Sequence, residues 1–327
     1  MTLPDFDHFE PENIKDACGL LKQHRSGAKV IAGGTELINL MRCRLVEPQV
    51  LINLKNIPEM KHLEEDETTD LHIGAMVSLS EIVKSPLVQT RVPLLAEACR
   101  CIAVPAIRNM ATLGGNVCLE TRCVFYNQSK NWRSSLLRCL KAGGTVCHAV
   151  KNSKSCYSVF QADAACALVA LNAQVRLTTE NGTRVLPLSE FYTGIGVKPT
   201  DLAESEILTE IIIPHRGHVE GSYEKLSARA AIDFPQIGVA VALSRDEEGA
   251  INGFRLVLNA VASRPVEIRD DFGLSKGGRL NQDLIEEIAL SAYKAAHPVD
   301  NTGLSALYRK KMVRALTGIA LRKLSPF

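Results

Sequence analysis

Between Arg122 and Gln161 the chain runs for about 40 residues with almost no hydrophobic period of either the helical or the strand kind. A structureless stretch of that length inside a compact domain is usually functional or disordered. Disorder fits poorly, because the only tryptophan, Trp132, lies here with Phe125, Tyr126, Tyr157 and Phe160. Whatever folds around this segment must order it without a conventional core. Cys123, Cys139, Cys147 and Cys156, spaced C-x15-C-x7-C-x8-C, supply a candidate: a metal centre whose ligand bonds stand in for hydrophobic burial.

The spacing bears on which metal. Structural zinc sites usually present C-x(2–4)-C pairs, because one tight knuckle delivers two ligands, and no such pair occurs here. Four single thiolates from separated points suit a larger object, one cysteine for each iron of a cubane. On spacing alone, a [4Fe–4S] cluster, a zinc ion and four uncoordinated thiols are the three readings. His148, beside Cys147, is either a replacement ligand or a surface histidine. The segment carries seven basic residues and no acidic one. That is either a solvated loop or a positive collar that offsets an anionic centre and attracts an acidic electron-transfer partner.

The other six cysteines, Cys18, Cys43, Cys99, Cys101, Cys118 and Cys166, fall in helix, strand or edge patterns and read as small hydrophobes of a core. A net charge of +2 excludes a generally basic nucleic-acid binder. The longest apolar run, Ala164 to Leu171, has eight residues, against the ~18 that a membrane helix needs. The acidic start, Met-Thr-Leu-Pro-Asp-Phe-Asp, lacks the apolar region of a secretory signal. A soluble cytoplasmic protein is expected.

With 327 residues the chain is long enough for two or three domains. Ile14, Ala17, Leu20 and Leu21 repeat at helical spacing, with Pro11 and Glu12 placed for a first turn. A short strand, Lys29 to Ala32, ends in Gly33-Gly34-Thr35; a helix over Leu37, Leu40 and Met41 leads to a strand around Val50 to Leu54. Strand and helix then alternate: Leu71 to Ala75, a helix near Ser80 to Lys84, then Leu94 to Ile102, up to a second glycine turn at Thr112-Leu113-Gly114-Gly115-Asn116. After Asp163, Ala164 to Leu171 reads as a buried strand, Asn181-Gly182 as a hairpin turn and Ile207 to Ile213 as a strand. Two strands, Ile237 to Ser244 and Phe254 to Val261, and two helices near Leu284 to Ala296 and Leu304 to Leu321 form a separate last unit. The expected division is 1–55, 56–215 with the segment 122–161 inserted, and 216–327.

Each glycine turn can expose several backbone N–H groups and a short polar side chain to a pyrophosphate, the first with a helix N-terminus behind it. Neither is a G-x-G-x-x-G fingerprint, and no Walker A sequence occurs. A dinucleotide cradle and two ordinary tight turns are both open on these residues.

Ala32-Gly-Gly-Thr-Glu-Leu37, Ala111-Thr-Leu-Gly-Gly-Asn116 and Glu206-Ile-Leu208 resemble the FAD-binding medium subunits of molybdenum hydroxylases, the xanthine dehydrogenase and CO dehydrogenase family. The resemblance covers essentially the whole chain. Thr121-Arg-Cys-Val-Phe-Tyr-Asn-Gln-Ser129, Trp132-Arg-Ser134 and the three later cysteines resemble, more narrowly, the β subunits of 4-hydroxybenzoyl-CoA reductases, whose insert ordinary medium subunits lack. The resemblance implies an α+β fold: a two-subdomain FAD-binding flavoprotein domain of the vanillyl-alcohol-oxidase-like type with an inserted iron–sulfur loop, and a CO-dehydrogenase-flavoprotein-like C-terminal α+β domain. It implies FAD on Ala32, Gly33, Gly34, Thr35, Glu36, Leu37, Thr112, Gly114, Gly115 and Asn116. Asp163 matches an acidic residue near the ribityl chain or flavin, Leu208 a residue packing near flavin or adenine, and Lys225 a lysine near the isoalloxazine. At Glu36 the family more often has aspartate. The resemblance favours a [4Fe–4S] cluster on Cys123, Cys139, Cys147 and Cys156. It implies an electron-transfer subunit, with no catalytic residue of its own for the substrate. The expected partners are a molybdopterin-binding large subunit and a [2Fe–2S] small subunit in a dimer of heterotrimers, and a ferredoxin-like donor. The implied reaction removes a phenolic hydroxyl from an aromatic CoA thioester. An oxidising hydroxylase acting on a heterocycle is the alternative within the family, and a metal-stapled scaffold without redox function is the alternative of another class.

Overall fold

The computed structural model describes residues 2–325. It is a mixed α+β chain, as the resemblance implies, built on three principal sheets and one two-stranded ribbon. The N-terminal sheet is parallel, with Val50–Asn53 between Asp7–Phe9 and Ala28–Ile31. Its first helix, Ile14–His24, is capped by Asn13, whose side chain accepts from the Asp16 N–H. Pro11 and Glu12 therefore precede the cap and do not form the first turn.

The second sheet is antiparallel, in the order Leu63–Glu65, Leu71–Gly74, Ile207–Ile213, Gln174–Thr179, Gly182–Pro187. The hairpin expected at Asn181-Gly182 joins its last two strands. Leu94 to Ile102, which takes the strand position of the alternation, is mostly the helix Pro93–Arg100.

Ala164 to Leu171 also departs from expectation. Asp163–Ala170 is a helix with all eight residues buried. A helix enclosed on every side shows no polar period, so an apolar run of this length reads equally as a buried strand. Its four alanines favour the helix.

The last sheet is Val219–Leu226, Ile237–Arg245, Ile251–Asn259, Val266–Ile268, covered by the helices Gln282–Ala295 and Ala306–Lys323. Along Ile237–Arg245 the side chains alternate in size as well as direction. Ile237, Val239, Val241 and Leu243 join the core under those two helices, whereas Ala240 and Ala242 face the core shared with the first two sheets. The small face lets the helix Asp163–Ala170 lie close against this strand. Among the described residues no helix is long and apolar enough to cross a membrane.

The segment after Arg122 is threaded among all these units. Its two ends meet in an antiparallel bridge, where Arg122 and Val159 exchange both main-chain hydrogen bonds at 2.7 Å. From Arg122 to Tyr157 not one residue is buried. Polar contacts fasten it instead. Arg133 donates to the carbonyls of Cys43 and Arg44 in the first unit, and Lys141 to the Gly196 carbonyl in the two-stranded ribbon. The Val124 N–H donates to the Asn301 carbonyl, and the Asn301 amide to that of Tyr157.

Asn301 is positioned by Arg309, which is fully buried and, among the described residues, has no carboxylate within ion-pair distance. Its guanidinium donates to the carbonyls of Gln236, Val299 and Ala260 and to the Asn301 side chain. Burial lowers its pKa to about 10. The Val299 carbonyl keeps the Asn301 N–H, so Arg309→Met leaves three acceptors, on Gln236, Ala260 and Asn301, without this donor, at about 1–3 kcal/mol each, and is expected to cost at least about 3 kcal/mol. The measurement is the urea unfolding midpoint; an unchanged midpoint would show that these oxygens find water instead.

Candidate functional site

The two glycine turns meet at the mouth of one cavity of about 640 Å³. Ala32 to Leu37 form one wall; Thr112, Gly114, Gly115 and Asn116 form another; Asp163 and Leu208 line it as well. The glycines do different work. A Cβ on Gly33 would lie 1.8 Å from the Met110 carbonyl oxygen, and one on Gly114 would lie 2.6 Å from the Ala75 Cβ. These two let the backbone segments close on each other. Gly34 is required by its φ of +72°, which L side chains rarely adopt. Gly115 is crowded only by the Thr112 hydroxyl, which accepts from the Gly115 N–H.

The first turn leaves the N–H groups of Gly33, Gly34, Thr35, Glu36 and Leu37 without a protein acceptor among the described residues. Successive free N–H groups of this kind make an anion seat. The helices behind the turns, Leu37–Arg42 and Leu113–Val117, have only six and five residues, so the free amides matter more than any helix dipole. Across the cavity, the buried Asn116 Oδ1 has no hydrogen-bond partner among the described residues. Free donors on one wall and an orphaned acceptor on the other fit a dinucleotide that carries both an anion and N–H or O–H donors.

Leu208 sits where the strand Ile207–Ile213 slips register against Gln174–Thr179. Its neighbour Glu206 is clamped by Arg184 through two hydrogen bonds, at 2.7 and 2.8 Å, which hold the Glu206 carboxyl below its usual range. Glu36 pairs with Arg122 at 2.7 Å. Burial raises the Glu36 carboxyl pKa, partly offset by that guanidinium. The extra methylene relative to aspartate thus reaches a partner.

Asp163 is 3% exposed and accepts from the Tyr223 hydroxyl at 2.7 Å and the Lys225 ammonium at 3.1 Å. Burial pushes its carboxyl up, while Lys225 and Tyr223 pull it down. Lys225 does not line the cavity. It lies behind Asp163 and also donates to the carbonyls of Cys101 and Asp233. Tyr223 was not anticipated, yet it stands two residues before Lys225 on one strand and so shares its face. Gly238 makes room for the tyrosine hydroxyl, which a Cβ there would meet at 2.5 Å. Arg122 and Phe234, also on the cavity wall, had no spacing signal in the sequence.

A second, smaller cavity is lined by Cys123, Cys139, Cys147 and Cys156 together with Phe125, Tyr126, Lys141 and His148. Burial pushes the Cys123 thiol up to about 11, and the three other cysteines add to the rise. Among the described residues no three His, Cys, Asp or Glu side chains are grouped to hold a metal ion; the four cysteines line one small cavity. The Lys141 side chain, only 5% exposed, anchors a buried edge by donating to Glu120, Thr121 and the Gly196 carbonyl. The His148 ring packs near Phe125, and its Nε2 pairs with the Leu137 carbonyl at 2.8 Å. Of the six cysteines assigned to the core, Cys18, Cys99 and Cys166 are buried and Cys43 and Cys118 half-buried, but Cys101 is exposed beyond the end of the helix Pro93–Arg100.

Gly115→Leu is expected to lower flavin occupancy while the fold survives, whereas Gly33→Ala should unfold the chain more easily because the two turns can no longer touch. Flavin absorbance and thermal unfolding separate these outcomes; full flavin retention in Gly115→Leu would make that turn merely a turn. Lys225→Met strands a buried carboxylate, at a cost of about 3–5 kcal/mol near neutral pH. The Asp163 pKa, already raised, then rises further. The folded chain holds that proton more tightly than the unfolded one, so the variant's stability is greatest in acid and falls as pH climbs through the raised pKa. Denaturation at about pH 5 and about pH 8 should therefore show a smaller deficit in acid. An equal deficit at both would mean that Asp163 does not titrate with the pair.

The family described as the FAD binding domain in molybdopterin dehydrogenase matches residues 4–216, and the CO dehydrogenase flavoprotein C-terminal domain matches residues 222–324. The carbon monoxide dehydrogenase medium chain of Hydrogenophaga pseudoflava is 29% identical, over 98% of this chain and 97% of that one. The aldehyde oxidoreductase FAD-binding subunit PaoB of Escherichia coli is 30% identical, over 94% of this chain and 96% of its own length. In a solved structure, a chain of carbon monoxide dehydrogenase from Hydrogenophaga pseudoflava superposes with a TM-score of 0.80 at 27% identity, covering 98% of each chain. By sequence and by fold alike, this chain belongs to the FAD-binding medium subunits of the molybdenum hydroxylase family.

Proposed function

We propose that the chain is the flavin and iron–sulfur electron-transfer subunit of a molybdenum-dependent reductase. In this reading FAD is held by Ala32 to Leu37, Thr112, Gly114, Gly115, Asn116, Asp163 and Leu208, with Lys225 acting through Asp163. Cys123, Cys139, Cys147 and Cys156 hold one [4Fe–4S] cluster. Residues 1–55 and 56–215 are the two flavin-binding subdomains, and 216–327 the C-terminal domain. When bound, the two cofactors supply stepwise electron transfer.

The observation that carries the reading is the four-cysteine cavity. Its thiols come from four separate points of a segment that has no buried residue of its own from Arg122 to Tyr157. Soft thiolates delivered singly to one cavity, with no C-x(2–4)-C pair among them, support a cubane over zinc. The seven basic side chains of the segment supply a positive surface suited to an acidic, ferredoxin-like donor. All ten cysteines are unpaired, which suits a reducing cytoplasm. A molybdopterin-binding large subunit and a [2Fe–2S] small subunit complete the enzyme, as a dimer of heterotrimers. The substrate is an aromatic CoA thioester of the 4-hydroxybenzoyl type, which loses its phenolic hydroxyl reductively.

The names of the relatives favour a second reading, because carbon monoxide dehydrogenase and nicotine 6-hydroxylase oxidise their substrates. Electrons would then leave through this chain. The purified complex decides, through turnover of an aromatic CoA thioester with a reduced low-potential donor or of a heterocycle with an oxidant. For the chain itself, Cys139→Ser or Cys147→Ser should lose iron and labile sulfide and leave residues 122–161 sensitive to protease, with FAD still bound. Zinc without labile sulfide in the unaltered chain would overturn the cluster.

A further inference from the structure

Arg122 stands where four parts of the molecule meet. Its main chain closes the inserted segment against Val159, and Cys123 follows it directly. Its guanidinium lies in the wall of the large cavity, pairs with Glu36 of the first glycine turn at 2.7 Å, and sits over the Phe234 ring 4.2 Å from the centroid. Glu36 Oε1 is its one side-chain hydrogen-bond acceptor among the described residues. A guanidinium has five N–H donors, so most of this set has no protein acceptor among the described residues.

We propose that the Glu36–Arg122 pair is a latch that couples flavin binding to closure of the segment 122–159, with Arg122 as a positioning residue. The physical basis is shared order. An anion seated on the free amides of residues 33–37 fixes the turn that carries Glu36. It also adds negative charge beside a guanidinium with donors to spare, and charge-assisted hydrogen bonds are the strong ones. Both effects favour the closed position of Arg122, and with it the Arg122–Val159 bridge and the placement of Cys123. The coupling is reciprocal: whatever factor the flavin adds to closure, closure adds to flavin affinity. This rests on FAD occupying the glycine turns, but not on which metal the cysteines hold.

The test uses the full chain, flavin-stripped or loaded with FAD, at equal measured metal content. Hydrogen exchange of amides 123–158 reads the segment, and flavin fluorescence titration reads affinity. FAD is expected to slow exchange about 10-fold in the unaltered chain, within the roughly 5–150-fold range of ordinary coupling. Arg122→Met should lose that protection and bind FAD more weakly by the same factor. Glu36→Asp, which keeps the charge but shortens the reach, should do the same with the fold undisturbed. Protection retained in both variants would overturn the latch. So would loss of protection without loss of affinity, or loss of affinity without loss of protection. Failure of the flavin-site reading would look different, as no saturable FAD binding by the unaltered chain.

Discussion

The helix Asp163–Ala170 is enclosed on all sides, and the rest of the architecture depends on how near its neighbours can come. It packs on the strand Ile237–Arg245, whose Ala240 and Ala242 share its core, while the large residues of that same strand point the other way into the C-terminal core. Close packing of small groups sets how near the helix lies to the last sheet. It also fixes Asp163, the first residue of the helix, at the edge of the large cavity. A carboxylate in that position is tolerated only because Lys225 and Tyr223 reach it from one strand face. The dense core and the polar cavity wall are thus one construction.

Much of this was readable from residues. The glycine turns, the hairpin at Asn181-Gly182, the two long strands and the two C-terminal helices carry strong local signals, and the structure has them. The helix Asp163–Ala170 was not readable, since total burial erases the polar period by which helix is told from strand. The glycine pairs were legible as turns, but not the division of labour within them. That Gly33 serves the Met110 carbonyl is a fact of tertiary approach between residues far apart in the chain. The pairing of Arg122 was hidden for the same reason: its partners, Glu36 and Phe234, lie far from it on either side in the sequence.

The inserted segment inverts the usual economy of folding. Ordinary elements bury apolar surface and leave charges in water. Here Trp132, Leu137 and Tyr157 are substantially exposed, while Lys141 is nearly enclosed by oxygen acceptors. Hydrogen bonds to three separate units hold the loop in outline. Each such bond contributes only about 0.5–1.5 kcal/mol net, so outline is all that they supply. Thiolate ligation would add the local rigidity that the missing core does not.

The bridge between Arg122 and Val159 has a consequence for how such a chain arises. Because the two residues sit opposite each other as neighbours on paired backbone, everything between them leaves and returns at nearly the same point in space. The entropic cost of a closed loop grows only logarithmically, about 0.6 kcal/mol for each doubling in length. A graft at that point therefore asks almost nothing of its host, whose strands and helices run on undisturbed at either side. The scaffold can gain or shed the whole inserted segment at one seam, and the segment can change without renegotiating the fold.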